Sequence, residues 1–419
     1  MRFRLILACL LYILASPFTG YGVTPKYDEI KLGALIPLTG DWASKGSGFK
    51  AALSIAKDDV NNFQERIGSG HRISMTIMDT ETSPSTALAK MKEFSKLGVR
   101  LVIAATSSAE LAAIKEYADT NGIIVIGTAS TAVNLAIPDN IIRLVPNDAN
   151  QGRAMAELLK IEKMKVLVPI VRGDVWGKGL LKETGRRFGG KVVKGIDYKP
   201  GTDLSSAVRT LRGIVKENIA RYGSDRVGVY LISFDEAVSL MAQASKDPVL
   251  SSVKWFGSDG IANSKTLIDN AAGANFALKT KLVCPAYGVL PGLFIRNMDD
   301  YERVNVMITQ ETGAKPDGYA LASYDALWIA TQAMILAGTG TPDQLKDAVS
   351  NIANRFTGIT GPLSVNSVGD RESVTYQFLS VKLFEGTPSW KVTGSFRLGS
   401  GGGVLDWKGQ TVKMAAEPR

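Results

Sequence analysis

The chain has 419 residues, but only one histidine, His71, and two cysteines, Cys9 and Cys284. A Ser-His-Asp triad would have to recruit His71, and a zinc site would depend mostly on carboxylates. Most histidine- or cysteine-dependent enzyme chemistry is excluded by that count. Runs of basic residues are also missing. The formal charge of +9 is spread along the chain without a stretch of five or six Lys/Arg and without aromatic–basic interleaving, so nucleic acid is not an expected partner. What is present, 45% hydrophobic and 21% charged residues, is the composition of a folded chain with two or three cores.

The one long apolar run without a charge is Leu5–Ala15. It follows Arg2 and Arg4 and is closed by Ser16, Pro17 and the small-residue triplet Gly20-Tyr21-Gly22. A basic start, a short apolar stretch and a small-residue exit predict a secretory signal peptide over residues 1–22. Eleven apolar residues are too few for a comfortable transmembrane helix, which needs about 20. No later segment reads as apolar enough to span a bilayer. The processed chain would carry about +7 and keep Cys284 alone, so no disulfide can form within it.

From Ile30 onward, β-rich apolar runs alternate with stretches of helical period. Strands are expected at Ile30–Pro37, Ile73–Asp79, Leu101–Ala105 and Ile123–Gly127, with helices at Gly46–Asn62, Ser85–Leu97 and Ser108–Asn121 between them. After Pro146 the rhythm restarts. It predicts strands Lys165–Val171, Val192–Tyr198, Val227–Ile232 and Lys254–Ser258, separated by helices. This is an α/β fold class of two doubly wound parallel-sheet units. Strand Lys281–Ala286, three helical stretches and turn-rich antiparallel segments at Val374–Lys382 and Lys391–Arg397 follow. Residues 398–419 read as a flexible tail.

In open α/β sheets, ligands bind beyond the C-terminal ends of the strands, so two facing units would share one cleft. Phosphate signatures fail: Gly46-Ser47-Gly48-Phe49-Lys50-Ala51 begins too far from its strand, and no cofactor is expected. Two strand-end loops are hydroxyl-rich: Thr106-Ser107-Ser108 before a helix, and Thr128-Ala129-Ser130-Thr131. Such serines cap helices, and the same geometry makes a carboxylate site. Asp259, in Gly257-Ser258-Asp259-Gly260, fits either a turn or an acceptor for an ammonium group. Trp176, Phe234 and Trp42 are aromatics placed either to stack on a ligand or to fill a core.

At this point the residues resemble the extracytoplasmic solute-binding proteins of branched-chain amino-acid-type ABC transporters (periplasmic binding protein type I). The matching pieces, in order, are Ile30-Lys31-Leu32-Gly33 with Pro37-Leu38-Thr39-Gly40, Asn121-Gly122-Ile123, Arg143 with Val145-Pro146-Asn147-Asp148 and Gln151-Gly152, and Trp176-Gly177-Lys178-Gly179. Phe256-Gly257-Ser258-Asp259-Gly260, Tyr319-Ala320 with Tyr324-Asp325-Ala326, and Phe356 to Pro362 continue the series. The resemblance implies two lobes joined by three hinge strands: 28–147 plus about 285–358, and 148–284 plus about 359–397. It also implies that Ser108 and Thr131, with the Ala129 carbonyl nearby, hold the carboxylate and amine of an amino acid, with Ser107 and Ser130 of the same loops as further candidates. Asp259 would pair with the ammonium, and Trp176 would cover the solute from the second lobe. Where relatives often carry an aromatic, this chain offers Lys45. Arg172 also departs from the pattern, and both cations either favour a more anionic ligand or face solvent. The implied function is capture of a small amino acid or related carboxylate outside the cytoplasm, by a monomer that delivers it to an ABC permease. A ligand-sensing module and an exported α/β enzyme using Asp79 and Asp259 are the alternatives.

Overall fold

The computed structural model describes residues 27–289, 298–399 and 402–415. The segment 1–22 read as a signal peptide lies outside them. Two sheets organise the chain. The smaller has the order β2-β1-β3-β4-β5 and is parallel throughout. Its strands are β1 (Asp28–Ile36), β2 (His71–Asp79), β3 (Leu101–Ala104), β4 (Ile124–Gly127) and β5 (Ile141–Arg143). Strands β3 and β4 are buried at every position, which is why they read as unbroken apolar runs rather than alternations. Helices α1 (Ala43–Arg66), α2 (Pro84–Lys96) and α3 (Ser108–Thr120) make the crossovers.

Helix α4 (Asp148–Ile161) leads into the larger sheet. Its parallel part contains β6 (Val166–Arg172), β7 (Lys191–Val192), β8 (Ile196–Tyr198), β9 (Val227–Ile232), β10 (Lys254–Gly257) and β11 (Val283–Tyr287). The interleaved helices are α5 (Val175–Phe188), α6 (Ser205–Tyr222), α7 (Glu236–Ala244), α8 (Lys265–Asp269) and α9 (Ala271–Lys279). The predicted strand Val192–Tyr198 is two short strands, and the cause is Pro169. Proline has no N–H to give, and the partner breaks opposite it: β7 pairs with Val166 and Leu167, β8 with Ile170 onward. Gly195 fills the break, where a Cβ would lie 2.0 Å from the Pro169 carbonyl oxygen.

Helices α10 (Met298–Thr312), α11 (Gly318–Ala337) and α12 (Pro342–Ala353) return to the smaller sheet. Ser323 on α11 shares a hydrogen bond with Thr128, and Arg303 and Tyr324 both reach Asp59 on α1. By length and composition α11 could cross a membrane, which corrects the reading that no later segment is apolar enough. However, 67% of its apolar window is buried inside the protein, the condition of a core helix. A two-stranded ribbon, β12 (Thr357–Gly358) and β13 (Gly361–Pro362), precedes the last passage between sheets.

That passage is tied to the first. Arg143, at the end of β5, grips Asp370 through Nε and Nη2, both at 2.6 Å, and both residues are buried. Asn147 adds a third hydrogen bond to Asp370, and Arg371 donates to the Leu144 carbonyl.

The chain then runs antiparallel through β14 (Val374–Phe384), β15 (Thr387–Gly399), β16 (Gly402–Trp407) and β17 (Gln410–Met414). The expected flexible tail is therefore wrong over 402–414. Its glycines masked an alternation in which Leu405 and Trp407 face inward. Trp407 meets Phe378 edge-on at 5.6 Å and is 4% exposed. Truncating Trp407 to alanine should cost roughly 3 kcal/mol in equilibrium denaturation, in the usual range for a buried aromatic; a change of only a few tenths would mean that the hairpin contributes no core.

Candidate functional site

The predicted residues lie in the loops and first helical turns that follow the C-terminal ends of the parallel strands. The caps come first. Ser107 is the N-cap of α3 in a complete capping box: its hydroxyl accepts from Glu110 N, and its own N–H donates to Glu110 Oε2 at 2.8 Å. Ser108 does a different job. Its Oγ accepts from Ser130 Oγ at 3.0 Å and from the backbone N–H groups of Thr131 and Ala132 at 3.2 and 3.1 Å. The two hydroxyl-rich loops are thus stitched together, and Ala129 lies buried beside them.

Beside them lies a buried pair of carboxyl groups, the Asp148 N–H donating to the Thr131 carbonyl at 2.8 Å and the Thr131 hydroxyl lying against the Asp148 side chain. Asp259 is 4% exposed, and its Oδ2 accepts from the Tyr319 hydroxyl. Asp148, the first residue of α4, is fully buried. Gln151 joins the two, donating from Nε2 to Asp148 Oδ1 at 3.3 Å and accepting the Asp259 N–H at 3.1 Å. One oxygen of each acid, Asp148 Oδ2 and Asp259 Oδ1, has no hydrogen-bond partner. Burial pushes the Asp148 carboxyl well above its ordinary range, and the neighbouring charge of Asp259 adds to it. Burial raises Asp259 too, against the pull of Tyr319 and Gln151.

The aromatics form one stack across the cleft. Trp42, from the loop after β1, lies on Phe234 at 4.6 Å and 13°, and Phe234 lies on Trp176 at 4.7 Å and 20°. Trp42 Nε1 donates to the Gly260 carbonyl at 3.2 Å, so the first lobe holds the second.

Lys45 and Arg172, expected to favour an anionic ligand or face solvent, do not face solvent. Lys45 is 7% exposed and donates to Asp317 and the Ala262 carbonyl at 2.8 and 2.6 Å. Arg172 reaches Asp174, Glu236 and, across the cleft, Asp41. It also lies over the Phe234 ring at 4.5 Å. Each cation makes one bond across the lobes, Lys45 to the Ala262 carbonyl and Arg172 to Asp41, and Ser44 N donates across to Asp235.

Asp79, the other carboxylate considered for catalysis, is also occupied. It accepts from the N–H groups of Leu38, Thr39 and Glu81 and from the Thr39 hydroxyl. Burial is outweighed by those bonds, and its pKa lies below the ordinary value. Among the described residues no group of three or more His, Cys, Asp or Glu could hold a metal.

Asp148 is the residue that sequence reasoning missed as a site candidate. The signal was an acid directly after Pro146-Asn147 at the first passage between units, where a helix-capping role is the default.

The model of the receptor family ligand binding region matches residues 49–383. An uncharacterized protein of Methanocaldococcus jannaschii is 28% identical over 91% of this chain and 93% of its own length. Leu/Ile/Val-binding protein homolog 1 of Brucella melitensis is 24% identical over 82% of this chain and 87% of its own. Among solved structures, the leucine binding protein LivK of Thermotoga maritima superposes with a TM-score of 0.69 at 18% identity, covering 87% of this chain and 98% of that one.

The raised carboxyls set a pH dependence with a definite sign. Both acids have folded pKa values above the unfolded 3.8, so folding takes up protons, and stability is lost as pH climbs from 3.8 through the folded values. Asp148→Asn removes that loss. Melting curves from about pH 5 to about pH 8 should show the variant gaining on the parent as pH rises. Parallel curves would mean that the pair carries no strain.

Proposed function

The chain belongs to the receptor family of ligand-binding regions, and from that premise we propose that it is an extracytoplasmic solute-binding protein. It takes a small amino acid or a related amine-bearing carboxylate into the cleft and delivers it to the permease of an ABC importer. The single observation that carries this reading is the pair of buried, partnerless oxygens on Asp148 and Asp259. A buried carboxylate oxygen without a donor costs free energy, and an ammonium with three N–H groups supplies donors to both at once. Phosphate or a plain dicarboxylate would add charge of the wrong sign.

Within this reading, the stitched loops of Ser108, Ala129, Ser130 and Thr131 face the carboxylate end, while Trp42, Phe234 and Trp176 exclude water from the paired charges. Closure is favoured because the solute binds the closed lobes better than the open ones. The names of the relatives, leucine-binding and Leu/Ile/Val-binding, agree with an amine-bearing solute. Export by the N-terminal segment and action as a monomer complete the proposal. A sensing module would use the same closure with a signalling partner in place of the permease.

Calorimetric titration with neutral, basic and acidic amino acids, and with aromatic acids lacking an amine, checks the reading. Saturable heat is expected only from solutes with an amine, and Asp259→Asn should weaken binding by about tenfold to a hundredfold. Tight binding of an acid without an amine, undiminished by that substitution, would overturn it.

A further inference from the structure

We propose a second binding site, for a phosphate-bearing anion, at the end of the larger sheet opposite the cleft. It rests on observations independent of the solute site. The register pairs Phe256 of β10 with Val283 of β11, and Val283 with Ser380 of β14. Lys254 opens β10, Lys382 lies on β14, and Lys281 lies in the turn two residues before β11, so three ammonium-bearing chains gather at one end of these adjacent strands. A fourth, Lys408, is brought over them by the β16–β17 turn. All four line a cavity of about 420 Å³.

Like charges on neighbouring strands are destabilising, and the cluster has too few acids to offset them. Glu162 is the acid that lines the cavity, and it is fully engaged. Its carboxylate takes Lys254 at 2.5 Å, Lys408 at 2.7 Å and the Trp407 indole N–H at 2.6 Å. Although burial opposes it, these donors pull the Glu162 pKa down to about 2. Lys281 and Lys382 make no ion pair among the described residues. Two of the four lysines also sit on strained backbone: φ is +55° at Lys281 and +49° at Lys408, where glycine or asparagine would be cheaper.

A phosphate dianion answers this arrangement. It accepts from several ammonium groups at once, beside the Ser380 and Thr393 hydroxyls, which are bonded to each other and to the Phe378 carbonyl on the same wall. The cavity is larger than one phosphate, and Phe256 and Trp407 give it an apolar side, so the ligand class is a phosphate ester. A soluble ester and a lipid headgroup share that chemistry. The site lies at the N-terminal ends of the parallel strands, so it does not compete with a solute at their C-terminal ends.

The test uses the intact protein with inorganic pyrophosphate in calorimetry, and with phosphatidylcholine vesicles with and without phosphatidylglycerol in flotation. Three proteins are compared: the parent, Lys281→Gln/Lys382→Gln, and Lys50→Gln/Lys96→Gln, which removes equal charge from exposed positions on the other unit. Saturable binding of pyrophosphate or recruitment to the anionic vesicles, weakened at least about tenfold in the first variant only, is the expected result. Pyrophosphate binding alone identifies a soluble ester, and recruitment to vesicles identifies a headgroup. No saturable binding to either probe, or equal loss in both variants, overturns the proposal. Because the first variant relieves repulsion, its melting temperature should not fall, and a fall would count against the cluster being strained.

Discussion

Two carboxyl groups, Asp148 and Asp259, are buried where the two lobes meet, and one glutamine side chain joins them. Much of the interior follows from accommodating that arrangement. Tyr319 is presented from α11 to bond Asp259, which commits a helix of the first lobe to an acid of the second. The aromatic stack of Trp42, Phe234 and Trp176 shields the same region from water. In such surroundings electrostatic interactions are strong in both directions: a well-placed cation gains much, and its absence is costly. An interior arranged in this way gives up some of its own stability.

The cations of the cleft serve a different purpose. Lys45 and Arg172 each spend one bond across the gap, on the Ala262 carbonyl and on Asp41, and the rest on acids of their own unit. Arg172 alone joins three carboxylates. The pairing of such ions with acids far along the chain is invisible in a linear reading, because Lys45 and Asp317 lie 272 residues apart. Read in isolation, both looked like free charges in a binding loop.

What the linear reading could reach was set by local physics. Buried parallel strands such as Leu101–Ala104 announce themselves as short apolar runs, and the Ser107–Glu110 capping box marks a helix start within four residues. The strand-end loops followed from the parallel architecture, so Ser108, Thr131 and Asp259 were within reach. The hairpin at 402–414 was not, because its two inward side chains are separated from a glycine-rich stretch by very little sequence. Asp148 was hidden by its resemblance to an ordinary helix-start acid, and only the fold brings it to Asp259. The break between β7 and β8 was equally hidden, since it is dictated by a proline on the neighbouring strand.

The salt bridge between Arg143 and Asp370 has a consequence for motion. Two of the connections that link the lobes would be free to twist separately if they were unfastened. Bolted together at a dry, bidentate contact, the two passages are held as one piece.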